Sequence, residues 1–477
     1  MNGQNRIVPA LLLIACLCCA QTGAAQAKTG DVQVDFPKAN GTIRHLNDVN
    51  GGPLCLRGYV DLSSYYKELG IKYVRLNDVA WTFDDALNIN YVFPRFEADP
   101  DQPDNYDFFQ TDWYLKSIEA LGIEIIYGLS PTAEYPKLPP RHVDPPQDFD
   151  QWARICVNVI KHYNGGWASG YHYNIKYWEI WNEPDGRSFW TGTPEQYYKL
   201  YETTAKAIKN YDPNVKVGGP VLAESMRFLE GFLAYCQSHH VPLDFVPWHM
   251  YPTQPSAIIW KAAKIHDLLV KYGYPNAESV LDEWSYYPGN WGAGQSKEIN
   301  SIGDPKVVDG VAQEVQGAAG AAFDASVLTL LQDSTVNIAN FYHGTTVVLW
   351  GMFNPHGVPN KTYYTFEAFK SLLETPERVA TATTDMSGLT AIAGLSHDKT
   401  QATVLISNFG TACSRYNIRL NNLPWKEGVI YEKYALDKMH DLELVKTETL
   451  EGTSAILPED VDDPSVCMIR LKAITNK

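Results

Sequence analysis

From about residue 40 to 375, short apolar runs rich in β-branched residues alternate with longer amphipathic stretches, the pattern of repeated strand-then-helix units. The runs Ile71 to Leu76, Ile123 to Tyr127, Ile175 to Trp181, Val215 to Val217, Asp244 to Val246, Ser279 to Leu281 and Val336 to Tyr342 read as strands. A first strand near Thr42 to Leu46 brings the number to eight. Between them lie helical patterns such as Pro194 to Tyr211, where Tyr197, Leu200, Tyr201, Ala205 and Ile208 recur at helical spacing behind a proline at the start. Eight such units predict an α/β fold of the (β/α)8 or TIM-barrel kind over residues 40–377. After about residue 378 the texture becomes short alternating strands and turns, as in Gln401 to Ser407 and Val466 to Leu471. This predicts an antiparallel β-sandwich over 378–477, to which residues 28–39 add a strand at Asp31 to Phe36.

Ahead of the barrel, residues 1–27 carry one cation, Arg6, then the apolar run Ile7 to Ala20, and end on Ala25-Gln26-Ala27. That is the layout of an export signal, with an apolar core too short to span a bilayer. The protein is therefore expected to be exported, to the periplasm or beyond. Leu13-Ile14-Ala15-Cys16 also resembles a lipobox, which would leave Cys16 as a lipidated N-terminus. Outside this leader the cysteines are Cys55, Cys156, Cys236, Cys413 and Cys467, scattered and odd in number, so no disulfide framework is implied.

The formal net charge of −16 disfavours a nucleic-acid partner. With 29 Tyr and 13 Trp the chain is rich in flat rings with polar edges, suited to stacking on sugars and equally to core packing.

Two segments carry the chemistry. Tyr177-Trp178-Glu179-Ile180-Trp181-Asn182-Glu183-Pro184 ends an aromatic strand on a turn with a carboxyl group at its tip. A carboxyl beside indole rings is partly desolvated, which raises its pKa and suits it to donate a proton. Val280-Leu281-Asp282-Glu283-Trp284 has the same grammar. The two glutamates lie 100 residues apart (283 − 183), and a barrel of about 250 residues spends roughly 31 on each unit, which places them on strands four and seven. Both then project at the C-terminal face, where barrel active sites form. Two carboxyls about 5 to 5.5 Å apart support a retaining double displacement on a glycosidic bond. Glu283 would be the nucleophile and Glu183 the acid and later the base. Strand alternation predicts that only one of Asp282 and Glu283 faces the site.

With these motifs, and with Phe189-Trp190, Tyr197 to Tyr201, Lys216-Val217-Gly218-Gly219-Pro220 and Val241 to Val246 in the same order, the chain resembles glycoside hydrolase family 39, the β-xylosidase and α-L-iduronidase group. The resemblance runs from roughly residue 40 to 375. It implies that Asn182 contacts the sugar 2-hydroxyl and that His249 and Tyr251 border the nucleophile. Trp350 would floor the sugar site, with Trp284 beside the nucleophile. The chain departs from the family at Arg75-Leu76-Asn77-Asp78 and at Phe341-Tyr342-His343-Gly344, so xylose preference is not inherited. Asn77, Asp78 and Trp81 are candidates for hydroxyl recognition.

The expected substrate is an oligosaccharide or glycoside, cleaved from the non-reducing end because the long segments Asn77 to Asp107 and Tyr286 to Gly310 could wall off one end of the cleft. An endo-acting glycanase and a non-catalytic carbohydrate-binding barrel are the alternatives. No HxxxH pair or cysteine cluster has metal-ligand spacing, so neither metal nor cofactor is expected.

Overall fold

The computed structural model describes residues 28–77, 86–131, 142–289, 305–347, 349–384 and 388–474. The leader with Arg6 and Cys16, and the candidates Asp78 and Trp81, lie outside the described residues. Eight parallel strands close into a barrel: Asp48–Asn50, Tyr73–Leu76, Glu124–Leu129, Tyr177–Ile180, Lys216–Gly218, Phe245–Met250, Glu278–Trp284 and Val336–Phe341, numbered one to eight in that order. Glu183 therefore follows strand four and Glu283 lies on strand seven.

The first strand is a correction. Thr42 to Leu46 is not a barrel strand; Thr42 ends the long strand Lys28–Thr42 of another sheet, and strand one is Asp48–Asn50, a single valine between two polar residues. Its polarity is tolerated because the side chains bond to main chain inside the barrel. Asp48 Oδ1 accepts from the amides of Lys72 and Tyr73, and Asn50 Nδ2 donates to the carbonyls of Asp282 and Asn340. Ile43 and Leu46 are buried nonetheless, which is what their apolarity signalled.

Alternation along the strands sorts side chains into an outer set facing the helices and an inner set filling the barrel. Ile126, Tyr177, Phe245, Val280 and Ile338 form the inner apolar plug. Gly218 belongs to it by omission, since a Cβ there would come within 2.3 Å of the Phe245 ring. Two residues further along strands two, four and seven stand Arg75, Glu179 and Asp282, so the inner face changes from apolar to ionic toward the C-terminal end.

Helix Pro194–Tyr211 buries the stripe Tyr197, Leu200, Tyr201, Ala205 and Ile208. It starts at a capping box in which Thr193 accepts from the Gln196 amide and the Gln196 side chain accepts from Thr193 N–H.

Apart from the short pair Leu54–Cys55 and Val60–Asp61, the other described strands form one nine-stranded sheet in the order Asp441–Leu450, Val429–Leu436, Ser465–Ala473, Gln401–Asn408, Leu389–Leu395, Glu377–Thr383, Lys28–Thr42, Cys413–Asn421, Ala455–Asp460. All its pairings are antiparallel except that of Lys28–Thr42 with Cys413–Asn421. The sheet folds over itself as a sandwich, since Lys433 near one edge bonds Glu459 on the opposite edge at 2.6 Å. Val404, Ile406, Cys467 and Ile469 point into the fold, whereas the alternate residues Leu405, Val466 and Met468 join the barrel core. Ser407 Oγ donating to Ala322 O at 2.6 Å and the paired bonds from Arg378 to Asp333 at 2.7 and 2.6 Å tie the two bodies together.

Candidate active site

At the C-terminal end of the barrel the ionic layer is organised around Arg75, which is wholly buried. Its Nη1 donates to Glu283 Oε1 at 2.5 Å, Nε to Glu179 Oε2 at 2.9 Å and Nη2 to Asn182 Oδ1 at 2.8 Å, with Asp282 Oδ2 at 3.4 Å from Nη2. A planar fork with fixed donors suits this task, because it reaches acceptors on strands four and seven at once.

His249, at the end of strand six, is the second cation. Its Nδ1 lies 2.7 Å from Glu183 Oε1 and 3.3 Å from Glu283 Oε2, while Nε2 lies 3.3 Å from Asp282 Oδ2. Burial opposes its protonation, but Glu283 and Asp282 outweigh burial and hold the imidazole well above its ordinary pKa. Tyr251 donates to Glu283 Oε2 at 2.6 Å. Burial, reinforced by the neighbouring Glu283, pushes the phenol up, so it remains a donor.

One guanidinium and one imidazolium thus face four carboxyl groups, Glu179, Glu183, Asp282 and Glu283. The acids outnumber these two cations, so they oppose one another's ionisation. Glu179 is pushed up to about 8, first by burial and then by Asp282 against the pull of Arg75. Glu183 is also raised, by burial and by Glu283, with His249 opposing. Asp282 stays low because His249 and Arg75 outweigh its burial.

An oxygen of Glu183 and one of Glu283 lie within 4.8 Å of each other. Their settings differ: the Glu183 side chain is 19% exposed, that of Glu283 is 7% exposed and doubly hydrogen bonded. Glu183 sits at φ +44 and Trp181 at φ +74, left-handed backbone that costs non-glycine residues of order 1–3 kcal/mol each. Surrounding bonds hold the turn: Trp181 N–H to Leu129 O at 3.0 Å, Trp181 Nε1 to Phe189 O at 2.8 Å, and Glu183 N–H to Val221 O at 3.0 Å. Glu183, His249 and Glu283 are close enough to share an ion. An imidazolium has no lone pair to offer one, so the set as charged here favours a proton over a metal.

Strict alternation does not hold on strand seven, which corrects the expectation that only one of Asp282 and Glu283 faces the site. Val280 and Asp282 point inward in register, and a register shift between Leu281 and Glu283 against strand six turns Glu283 inward as well. Trp284 is then sent outward. It is fully buried against Phe341 at 5.2 Å and Phe366 at 6.4 Å between ring centroids, so it is a core residue and not a sugar contact.

Trp350 does stand at the site, its ring 5.7 Å from Tyr251, 6.0 Å from Tyr342 and 6.5 Å from Tyr287. Asn77 ends strand two on the inner face beside Arg75 and receives a hydrogen bond from Ser130 Oγ. Tyr287 was not singled out from the sequence and Tyr342 only within the segment Phe341 to Gly344, and the roles of Glu179 and Arg75 in the charge network were not foreseen. The signal for the last two was present: a lone charge within an apolar β-prone run, as in Tyr73-Val74-Arg75-Leu76 and Trp178-Glu179-Ile180, is a buried charge with a partner.

Comparison with known proteins agrees with this architecture. The family model described as Glycosyl hydrolases family 39 matches residues 57–266, a span that includes Glu183, His249 and Tyr251 and ends before Glu283. A β-xylosidase of Geobacillus stearothermophilus is 25% identical over 353 residues, a match covering 66% of this chain and 65% of the relative. Among solved structures, a glucosidase from Croceicoccus marinus superposes with a TM-score of 0.75 at 24% identity, covering 94% of this chain and all of that one. A monomeric β-xylosidase from Caulobacter crescentus does so at 0.68 and 16% identity, covering 93% and 99%. At these identities the structural likeness is one of fold. Together, the matched family model and the related sequences support glycoside hydrolase family 39 for this chain, and the solved structures share its barrel-plus-sandwich fold.

Proposed function

We propose that the protein is a retaining, exo-acting glycoside hydrolase that removes a neutral, β-linked pentose or hexose from a non-reducing end. The observation that carries this reading is the approach of Glu183 and Glu283 to within 4.8 Å in unlike surroundings. That spacing suits direct attack by one carboxylate and leaves too little room for the water an inverting enzyme places between sugar and base. Glu283, oriented by Arg75 and Tyr251, attacks the anomeric carbon. Glu183, whose pKa is raised by burial and by Glu283, protonates the departing oxygen. Once Glu283 is esterified its charge is gone and the push it exerts on Glu183 disappears, so Glu183, having given up its proton, stays ionised and can accept one from water in the second step. Asn182 accepts from Arg75 through Oδ1, which leaves its amide nitrogen to donate to the sugar 2-hydroxyl.

The test is azide rescue. Glu183→Ala and Glu283→Ala should each lose most activity, and azide should restore the two with products of opposite anomeric configuration. Full turnover by Glu283→Ala overturns the mechanism, and a wild type without hydrolytic activity on any glycoside favours the carbohydrate-binding alternative. Relatives named as β-xylosidase and glucosidase support a neutral glycone without choosing between pentose and hexose. The donors of Arg75 already engage Glu179, Glu283 and Asn182, so an anionic sugar would find no free charge there. A panel of nitrophenyl glycosides should therefore show uronides as poor substrates. Export is supported by the leader, and loss of lipid labelling in Cys16→Ser would identify Cys16 as an anchor.

A further inference from the structure

Lys261 lies on helix Ser256–Lys271, which follows strand six, and is 5% exposed. Among the described residues its ammonium meets no carboxylate at hydrogen-bond distance. It donates instead to two main-chain carbonyls, Ala223 O at 2.7 Å and His249 O at 2.8 Å, with the Trp248 ring centroid 5.6 Å away. A buried lysine is costly to place, and here its two bonds join the loop after strand five to the end of strand six.

Those two segments also hold the turn that carries Glu183. Asp185, two residues on, accepts from the amides of Ala223, Glu224 and Ser225 at 3.0, 2.8 and 2.8 Å. Val221 O accepts from Glu183 N–H, and Leu222 O accepts from His249 N–H at 2.9 Å. The contacts therefore close a ring: Glu183 to Asp185 along the chain, Asp185 to Ala223, Ala223 to Lys261, Lys261 to His249, and His249 Nδ1 back to Glu183 Oε1 at 2.7 Å. We propose that Lys261 is a positioning residue for the proton donor, closing the ring that keeps Glu183 against the His249 ring and in its left-handed turn.

The inference rests on the reading of Glu183 as the acid. Burial lowers Lys261 to about 8, while Asp185, Glu224, Glu183 and Asp282 pull in the opposite direction. These acids surround the ammonium without replacing its carbonyl bonds, so its charge and its donors act together.

A brace that acts through the acid has a signature that simple core packing lacks. Loss of acid assistance harms substrates with poor leaving groups and spares those whose aglycone departs unaided. The experiment compares kcat/KM, which reports the first chemical step, for an alkyl glycoside and a 2,4-dinitrophenyl glycoside of the same sugar, in wild type and in Lys261→Met of the full chain. The expected result is a loss of at least about tenfold on the alkyl glycoside and less than about threefold on the dinitrophenyl glycoside. Equal losses on both substrates, or none on either, overturn the proposal. Should Lys261→Met fail to fold, Asp185→Asn cuts the same ring at the Ala223 to Ser225 amides and is held to the same criterion. Glu183→Ala is the control: if it spares the alkyl glycoside, the acid assignment fails rather than the brace.

Discussion

Replacing Arg75 by lysine isolates what the guanidinium contributes beyond its charge. Arg75 donates to Glu179, Glu283 and Asn182 through three different nitrogens, and the acceptors sit on strand four, its following turn and strand seven. Lysine presents all its protons from one nitrogen, so it cannot span that set, and at least one charge-assisted bond is lost. Such a bond contributes about 1.5–3 kcal/mol. If the lost bond is the one to Glu283, kcat/KM falls by about 10- to 150-fold, since about 1.4 kcal/mol is one decade. The net charge of the buried layer is unchanged, so the thermal midpoint should move little compared with Arg75→Met. That second variant strips the counter-charge from Glu179, Asp282 and Glu283, and breaking a buried pair costs about 3–5 kcal/mol. Its loss should be greatest at neutral pH. The abandoned carboxylates would have folded pKa values above their unfolded ones, so the variant regains stability as pH falls and they take up protons. The assay is steady-state kinetics on a nitrophenyl glycoside together with thermal melts from pH 5 to 8. Arg75→Lys within twofold of wild type in kcat/KM would refute the claim that the fork geometry orients Glu283.

Tyr251→Phe removes the 2.6 Å bond to Glu283, and kcat/KM should fall by about 10- to 150-fold with the melt nearly unchanged; a change below threefold shows that Arg75 alone orients the carboxylate. Asp324, on the buried helix Ala318–Leu330, has no hydrogen-bond partner for either oxygen among the described residues, and burial raises it well above 3.8 with Thr362 nearby as a partial offset. The folded chain keeps a proton there that the unfolded chain loses, so stability declines as pH rises from about 4 toward the folded pKa. Asp324→Asn should therefore be more stable than wild type near neutrality, by about 1–3 kcal/mol, with the gap closing toward pH 4; a gap independent of pH contradicts the assignment. Thr193→Ala removes the hydroxyl that caps helix Pro194–Tyr211 and should cost about 0.5–2 kcal/mol in denaturant unfolding without altering kcat.

Which parts of this molecule were legible in the sequence follows from how local their causes are. Helix Pro194–Tyr211 was read to its end residues because its starting proline and its apolar stripe are local signals. The barrel closed as expected because seven of its strands are apolar or aromatic runs. Strand one was misplaced because Asp48–Asn50 is made acceptable only by partners far along the chain, Asp282 and Asn340 among them, which no window over residues 42–50 contains. The inward turn of Glu283 next to an inward Asp282 was hidden for a related reason. A bulge changes register without changing composition, and a period of two is the only rule the sequence offers there. The same shift decided Trp284, which the motif grouped with the site and the backbone sends into the core.

The difference between the two glutamates is the deeper consequence of the backbone. Both end strands of similar sequence texture. Glu283 lies on a bulged strand whose inner neighbours come from strands two and six, so Arg75 and Tyr251 both point hydrogens at its oxygens. Two donors aimed at its oxygens fix the orientation of the carboxylate, which a nucleophile needs. Glu183 lies past its strand in a left-handed turn that carries it out of reach of the guanidinium, to a single bond with His249. His249 is in turn shared with Asp282 and Glu283, so its charge is only partly available to Glu183. Burial and the charge of Glu283 then decide in favour of the proton. The proposed division of labour thus depends on which carboxyl Arg75 can reach. A variant that brought a second guanidinium to Glu183 should depress its pKa and shift the alkaline limb of kcat/KM to lower pH. An unmoved limb would mean that a group other than Glu183 governs it.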